Sequence, residues 1–128
     1  MFSHIMIGAN DIEASRKFYD AALGALGVTP GTLDPKGRVW WRTAGGNFAI
    51  SLPIDGAPAS CANGGTIGFA AASPEAANAF HEAGLAHGGT AIEDPPGTRE
   101  SPFGALHLAY LRDPAGNKVC AMHRLKQA

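Results

Sequence analysis

Cys120 stands in the stretch "RDPAGNKVCAMHR", Arg112 to Arg124, where a tight turn opens onto a short apolar strand. A cysteine there can do one of three things. It can fill space as a small apolar side chain, bind a metal as a thiolate, or act as a nucleophile. If it binds metal, the soft sulfur selects zinc over magnesium or manganese, which prefer oxygen. His4 lies on a short apolar run near the N-terminus, and its type alone suggests a half-exposed strand histidine. Trp40 and Trp41 are adjacent, so on a strand they face opposite ways. An aromatic lining suits planar or extended apolar ligands. Arg42 shares the face of Trp40 and can meet an anionic ligand group. Other chemistries lack their residues. There is no serine-centred elbow and no pair of carboxylates suited to acid/base work. "GGNF" and "NGG" are turns without the strand–turn–helix context of a phosphate loop.

The elements that must position these residues are short. The chain has 128 residues, of which 45% are apolar and 16% charged, with a net charge of −1. That composition suits one soluble globular domain and no nucleic-acid surface, which would need clustered Lys and Arg. No apolar run approaches the ~18 residues of a membrane span. Neither does the N-terminus read as a secretory signal. Two cysteines are too few for a disulfide framework, which makes a reducing cytoplasm the expected location. A single Cys61–Cys120 disulfide stays open.

Phe2 to Ile7 reads as a strand. Asn10 or Asp11 caps a helix to about Leu26, with Ile12, Phe18, Tyr19, Ala22 and Leu26 on its apolar face and Ser15 tolerated among them. Strands follow near 28–33, 38–43 and 47–52. After the loop "PIDGAPASCANGG" the order restarts. Thr66–Ala71 is a strand. Ser73 caps a helix to about His87, whose buried positions are Ala76, Ala79, Phe80, Ala83 and Leu85. Strands follow near 90–92, 105–111 and 118–122. A shift of 62 positions superposes Glu13 on Glu75, Phe18 on Phe80, Leu23 on Leu85 and the cap Asp11 on Ser73. The expected fold is therefore α+β. Two βαβββ modules, about 1–53 and 65–124 with a loop at 54–64, form a cupped eight-stranded mixed sheet with the helices outside. The whole chain, 1–128, is one domain. Its inner faces enclose a cleft, the default ligand site. "EDPPGTRE" reads as a loop beside that cleft, stiffened by Pro95 and Pro96.

Two stretches, "HIMIGANDIEASRKFYDAALGALG" and "RDPAGNKV", resemble the vicinal oxygen chelate superfamily of glyoxalases, bleomycin-resistance proteins and dioxygenases. "ISLPIDGAPA" and "NGGTIGF" resemble a small bacterial glyoxalase-like branch. The resemblance implies a metal site with ligands from the first and fourth strands of each module, typically His, Glu or Gln. Here those positions fall on His4, Ser51, Thr66 and Cys120. Only His4 is conventional, and Cys120 stands where Glu is expected. The resemblance also places Tyr110 in the cleft, where related fosfomycin-resistance enzymes contact substrate with a tyrosine. His107, three residues earlier, would face the opposite way.

The resulting expectation is a glyoxalase-family small-molecule binding protein with a degraded metal centre. Tyr110, Trp40, Arg42, Thr66 and Ser51 would bind the ligand. A metal would rest on His4 and Cys120 alone. No cofactor is expected, with zinc as the alternative. The partners expected are a small organic ligand and a second copy of the chain in a homodimer, with neither nucleic acid nor membrane. The rival reading is a divalent-metal lyase of the lactoylglutathione-lyase kind, or a dioxygenase, acting on a substrate with vicinal oxygens. There the cation would stabilise an oxyanion-like intermediate.

Overall fold

A computed structural model gives the structure of residues 1–125; the last three positions of the expected 1–128 domain lie outside the described residues. The first half runs β1 (His4–Gly8), α1 (Ile12–Gly24), β2 (Thr32–Leu33), β3 (Val39–Thr43) and β4 (Gly46–Ser51). The second runs β5 (Ile67–Ala70), α2 (Pro74–Ala86), β6 (Thr90–Ala91), β7 (Gly97–Ser101), β8 (Gly104–Arg112) and β9 (Lys118–Arg124).

Both helices start where the sequence places their caps. The Asp11 carboxylate accepts from the Ala14 amide, and the Ser73 hydroxyl from the Ala76 amide, each at 3.1 Å. Pro74 opens α2 at a position that needs no donor. Phe18 and Phe80, the repeat-related aromatics, are both fully buried. Each contributes roughly 1.5–3 kcal/mol of apolar burial. Ser15 is buried as well, and its hydroxyl has no hydrogen-bond partner. The expected face of α2 is shifted. Ala77, Phe80 and Gly84 are its buried positions, while Leu85 and Ala79 are exposed.

The fold is α+β, with each helix laid on one face of its sheet. The strands form two sheets rather than one, and they number nine among the described residues. The first sheet has the order β1-β4-β3-β2; the second has β5-β9-β8-β6, with β7 also on β8. The ninth strand is β7. It takes the second half of "EDPPGTRE" out of the expected loop and pairs Gly97–Ser101 with β8.

In each sheet alternate residues face the helix. Ile5, Ile7, Trp41, Phe48 and Ile50 do so in the first sheet. Ile67, Phe69, Ala109, Leu111, Val119 and Ala121 do so in the second. Ile5 and Ile67 are 62 positions apart, as are Ile7 and Phe69, so the repeat holds through the strands. These two sets meet in a single core. Phe48 and Phe69 pack edge to face at 5.2 Å, and Tyr19 of α1 packs on Phe48 at 4.8 Å. The helices also pack on each other, at Phe18 against Gly84. Because the helix-bearing faces meet, the helix-free faces turn away from one another.

A buried polar network locks the halves together. The Tyr19 hydroxyl donates to Asp113 at 2.6 Å. The Asn117 side-chain amide donates to Asp113 and to the Gly8 carbonyl, both at 2.9 Å. The turn "DPAGN" thus holds both β1 and α1 of the first half.

Candidate functional site

The helix-free face of the first sheet carries His4, Met6, Asn47, Ala49, Trp40 and Arg42, by the strand registers His4↔Asn47↔Arg42 and Met6↔Ala49↔Trp40. The His4 ring stands 5.7 Å from that of Trp40, and the Arg42 guanidinium lies 5.1 Å over the same indole. Arg38 also approaches the ring, to 5.8 Å, and the indole N–H donates to Asp34 at 2.9 Å. Trp40 is therefore held in place beside two cations. Trp41 points the other way, buried, with its indole N–H on Asp20 at 2.9 Å.

The helix-free face of the second sheet carries Gly68, Cys120 and Tyr110 in one register row, with Lys118 and Arg112 in the next row on that face. The Lys118 ammonium lies 5.0 Å from the Tyr110 ring and pairs with Glu93. Burial pushes the Cys120 thiol up to about 11, against a smaller lowering by Lys118. Burial likewise raises the Tyr110 phenol, helped by Cys120 and Glu93. Both groups are neutral at pH 7. Thr66 sits just ahead of β5 and is exposed. His107 faces α2 and bonds Asn78 at 2.8 Å, as its spacing from Tyr110 predicts.

Five of the seven candidate residues form two groups on faces of different sheets, and Ser51 and Thr66 join neither. His4, Trp40 and Arg42 come together on one, and Tyr110 and Cys120 on the other. Ser51 ends β4 beside Gly8, and its hydroxyl donates to the Leu52 carbonyl at 2.8 Å. The residue that answers to Cys120 in the first half is Ala49. Gly68↔Cys120 in the second sheet matches Met6↔Ala49 in the first.

Sequence reasoning missed Lys118, Glu93 and Arg99. Alternation alone puts Lys118, two residues before Cys120, on the same face. Nothing local points to Glu93. A cavity of about 650 Å³ lies elsewhere, at the seam between the halves. Ile5, Trp41, Phe48, Ile67 and Phe69 wall it, and Arg42 is the one candidate residue at its border. Its walls are mostly apolar, with Thr29, Arg42, Thr43 and Asn47 as the polar side chains among them.

The sequence profile of the Glyoxalase/Bleomycin resistance protein/Dioxygenase superfamily matches residues 1–121. The chain belongs to this superfamily. A glyoxalase/bleomycin resistance protein from Albidiferax ferrireducens T118 is 57% identical, with a TM-score of 0.94 over 97% of this chain and 99% of that one. A glyoxalase-related enzyme from Fulvimarina pelagi shares the fold at 20% identity, with a TM-score of 0.71 over 95% of this chain and 86% of its own. A lactoylglutathione lyase from Agrobacterium tumefaciens does so at 20% identity and 0.65, over 95% and 92%. No curated protein matches the sequence. No helix among the described residues is long and apolar enough to cross a membrane.

Members of the superfamily often bind divalent metals, which need a set of converging donors. Among the described residues no three His, Cys, Asp or Glu side chains gather. The His4 Nδ1 already bonds the Ser3 hydroxyl at 2.8 Å. Cys120 carries a protonated thiol, a poor ligand. Ala49 has no donor at all. These residues do not fit a resident divalent metal.

Proposed function

We propose that this glyoxalase-family chain is a binding protein for a small organic molecule, with a metal centre that has lost its ligands. One observation carries the reading. At the positions where the superfamily resemblance puts ligands, His4 alone is a good donor, and the thiol at Cys120 is held neutral by burial. A hard cation cannot deprotonate it, because oxygen-preferring ions bind thiolate weakly. The ligand would lie between the Trp40 platform and the Tyr110–Cys120 row. Since those faces turn apart within one chain, a cleft made of both requires two copies. The functional unit is then a homodimer in which the first sheet of each copy faces the second sheet of the other. The free edges of β1 and β5 are the strands that would meet there. A reducing compartment such as the cytosol suits the two free thiols.

Calorimetric titration of untagged protein with magnesium, manganese, nickel and zinc tests the reading. The wild type should bind none of the first three stoichiometrically. Stoichiometric binding of any of them would overturn the degraded centre and restore a metal-dependent lyase or dioxygenase. Binding gained only in Cys120→Glu would support it.

A further inference from the structure

Glu93 is the one non-glycine residue among those described with a positive φ, at 59°. Side chains with a Cβ avoid that region, and it recurs where a residue is held for a purpose. The segment around Glu93 is fastened from below. The Arg99 guanidinium donates to the Asp94 carbonyl at 2.9 Å and to the Pro95 carbonyl at 3.0 Å. So fastened, Glu93 delivers its carboxylate to the ammonium of Lys118. A half-exposed ion pair of this kind adds little stability. The pair is better explained by what surrounds it. Lys118 lies over the Tyr110 ring, in the row next to Cys120, on a face that no helix covers.

The charges on this face can be counted. Arg99 is engaged by the loop carbonyls, Arg112 donates to the Gly116 carbonyl at 2.7 Å, and Arg124 donates to the Phe103 carbonyl at 3.1 Å. Cys120 and Tyr110 are neutral. Among the described residues Lys118 is the cation of this face that no backbone carbonyl holds, and one carboxylate already sits on it. We propose that Lys118 and Tyr110 form a subsite for a single carboxylate of an apolar or aromatic acid, and that Glu93 occupies this subsite until the ligand displaces it. The inference rests on the reading of the helix-free faces as the ligand cleft. A single ammonium over an aromatic ring matches one carboxylate. The Trp40 platform would take the planar body of such an acid.

The test uses benzoate, phenylacetate and hexanoate, each beside its primary amide, in calorimetry on the full chain with the Tyr110 ring signals followed by NMR. The acids should bind wild type more tightly than the amides. Glu93→Gln removes the competing carboxylate and should tighten acid binding about twofold to fivefold. Lys118→Met should weaken it at least about tenfold, and Lys118→Arg should keep it. Amide binding should change in none of them. If acids and amides bind alike and both move the Tyr110 signals, the carboxylate subsite is wrong and the ligand cleft stands. Weaker acid binding in Glu93→Gln also overturns the subsite. If no compound moves the Tyr110 signals, subsite and cleft both fall.

Discussion

The phenol of Tyr19 donates a 2.6 Å hydrogen bond to Asp113, a residue 94 positions further along the chain. The hydroxyl is buried, and its pKa is raised well above 10 by that burial and by the charge of Asp113. It therefore acts as a neutral donor to the carboxylate. The "DPAGN" turn inside the motif that most clearly marks the superfamily in this sequence is thus a clamp between halves.

Tyr19→Phe should destabilise the protein by about 1.5–3 kcal/mol, the usual loss for a buried bond to a charged acceptor. Urea denaturation measures it. Asp113 keeps the amides of Ala115 and Asn117 in the variant, so the fold should survive. A loss below about 0.5 kcal/mol, the range of an ordinary surface change, would show that the clamp holds nothing.

The two thiols should differ sharply in reactivity. Cys61 is exposed, and Cys120 is buried with a pKa near 11. At pH 8 a disulfide reagent should modify one thiol quickly and the second only on unfolding. The raised pKa also fixes a sign. Above pH 9 an unfolded chain releases this proton while the native one retains it, so unfolding gains. Stability owed to Cys120 is whole below pH 9 and declines up to about pH 11. Cys120→Ala should flatten that part of the stability–pH curve. Fast modification of both thiols in native protein would contradict the burial argument.

Much of this was legible in the sequence, and the reasons are particular. Phe18 and Phe80, or Ile5 and Ile67, do the same work in each half, so the repeat appears as a shared spacing. Caps such as Asp11 and Ser73 are local chemistry and read directly. β7 was not legible, because "GTRES" has no apolar alternation and follows two prolines. Ala49 was hidden behind Ser51 because register belongs to a strand pair and not to one strand. The divergence of the two helix-free faces was hidden for a similar reason. It depends on Phe48 meeting Phe69 across the core.

Two glycine variants test the helix packing. A Cβ on Gly84 would stand 2.4 Å from a Leu111 methyl and 3.0 Å from the Phe18 ring. Gly84→Ala should cost about 1–3 kcal/mol through overpacking, despite the better helix propensity of alanine. At Gly24, in the last turn of α1, a Cβ meets nothing within 4 Å. Gly24→Ala should be neutral or gain up to about 1 kcal/mol. Thermal unfolding of both would refute this packing if the order were reversed.

The homodimer reading predicts a mass of two chains by light scattering. Met6 lies on the free edge strand β1 with 38% of its surface exposed. Met6→Lys should shift the protein toward monomer while far-UV circular dichroism stays unchanged, since a charge on a buried edge opposes pairing. A wild type that remains monomeric at high concentration would remove the shared cleft.

The clamp also bears on how the protein is made. Gly8 and Tyr19 leave the ribosome well before their partners Asn117 and Asp113, which come more than ninety positions later. Until the β8–β9 hairpin is synthesised, the Gly8 carbonyl lacks its Asn117 donor and the Tyr19 phenol lacks its acceptor. The first half can collapse early around Phe18 and Trp41, but its last native bonds wait for that hairpin. A nascent chain stalled before Asp113 should therefore expose the Phe48 side of its core to chaperones, and release should let it close.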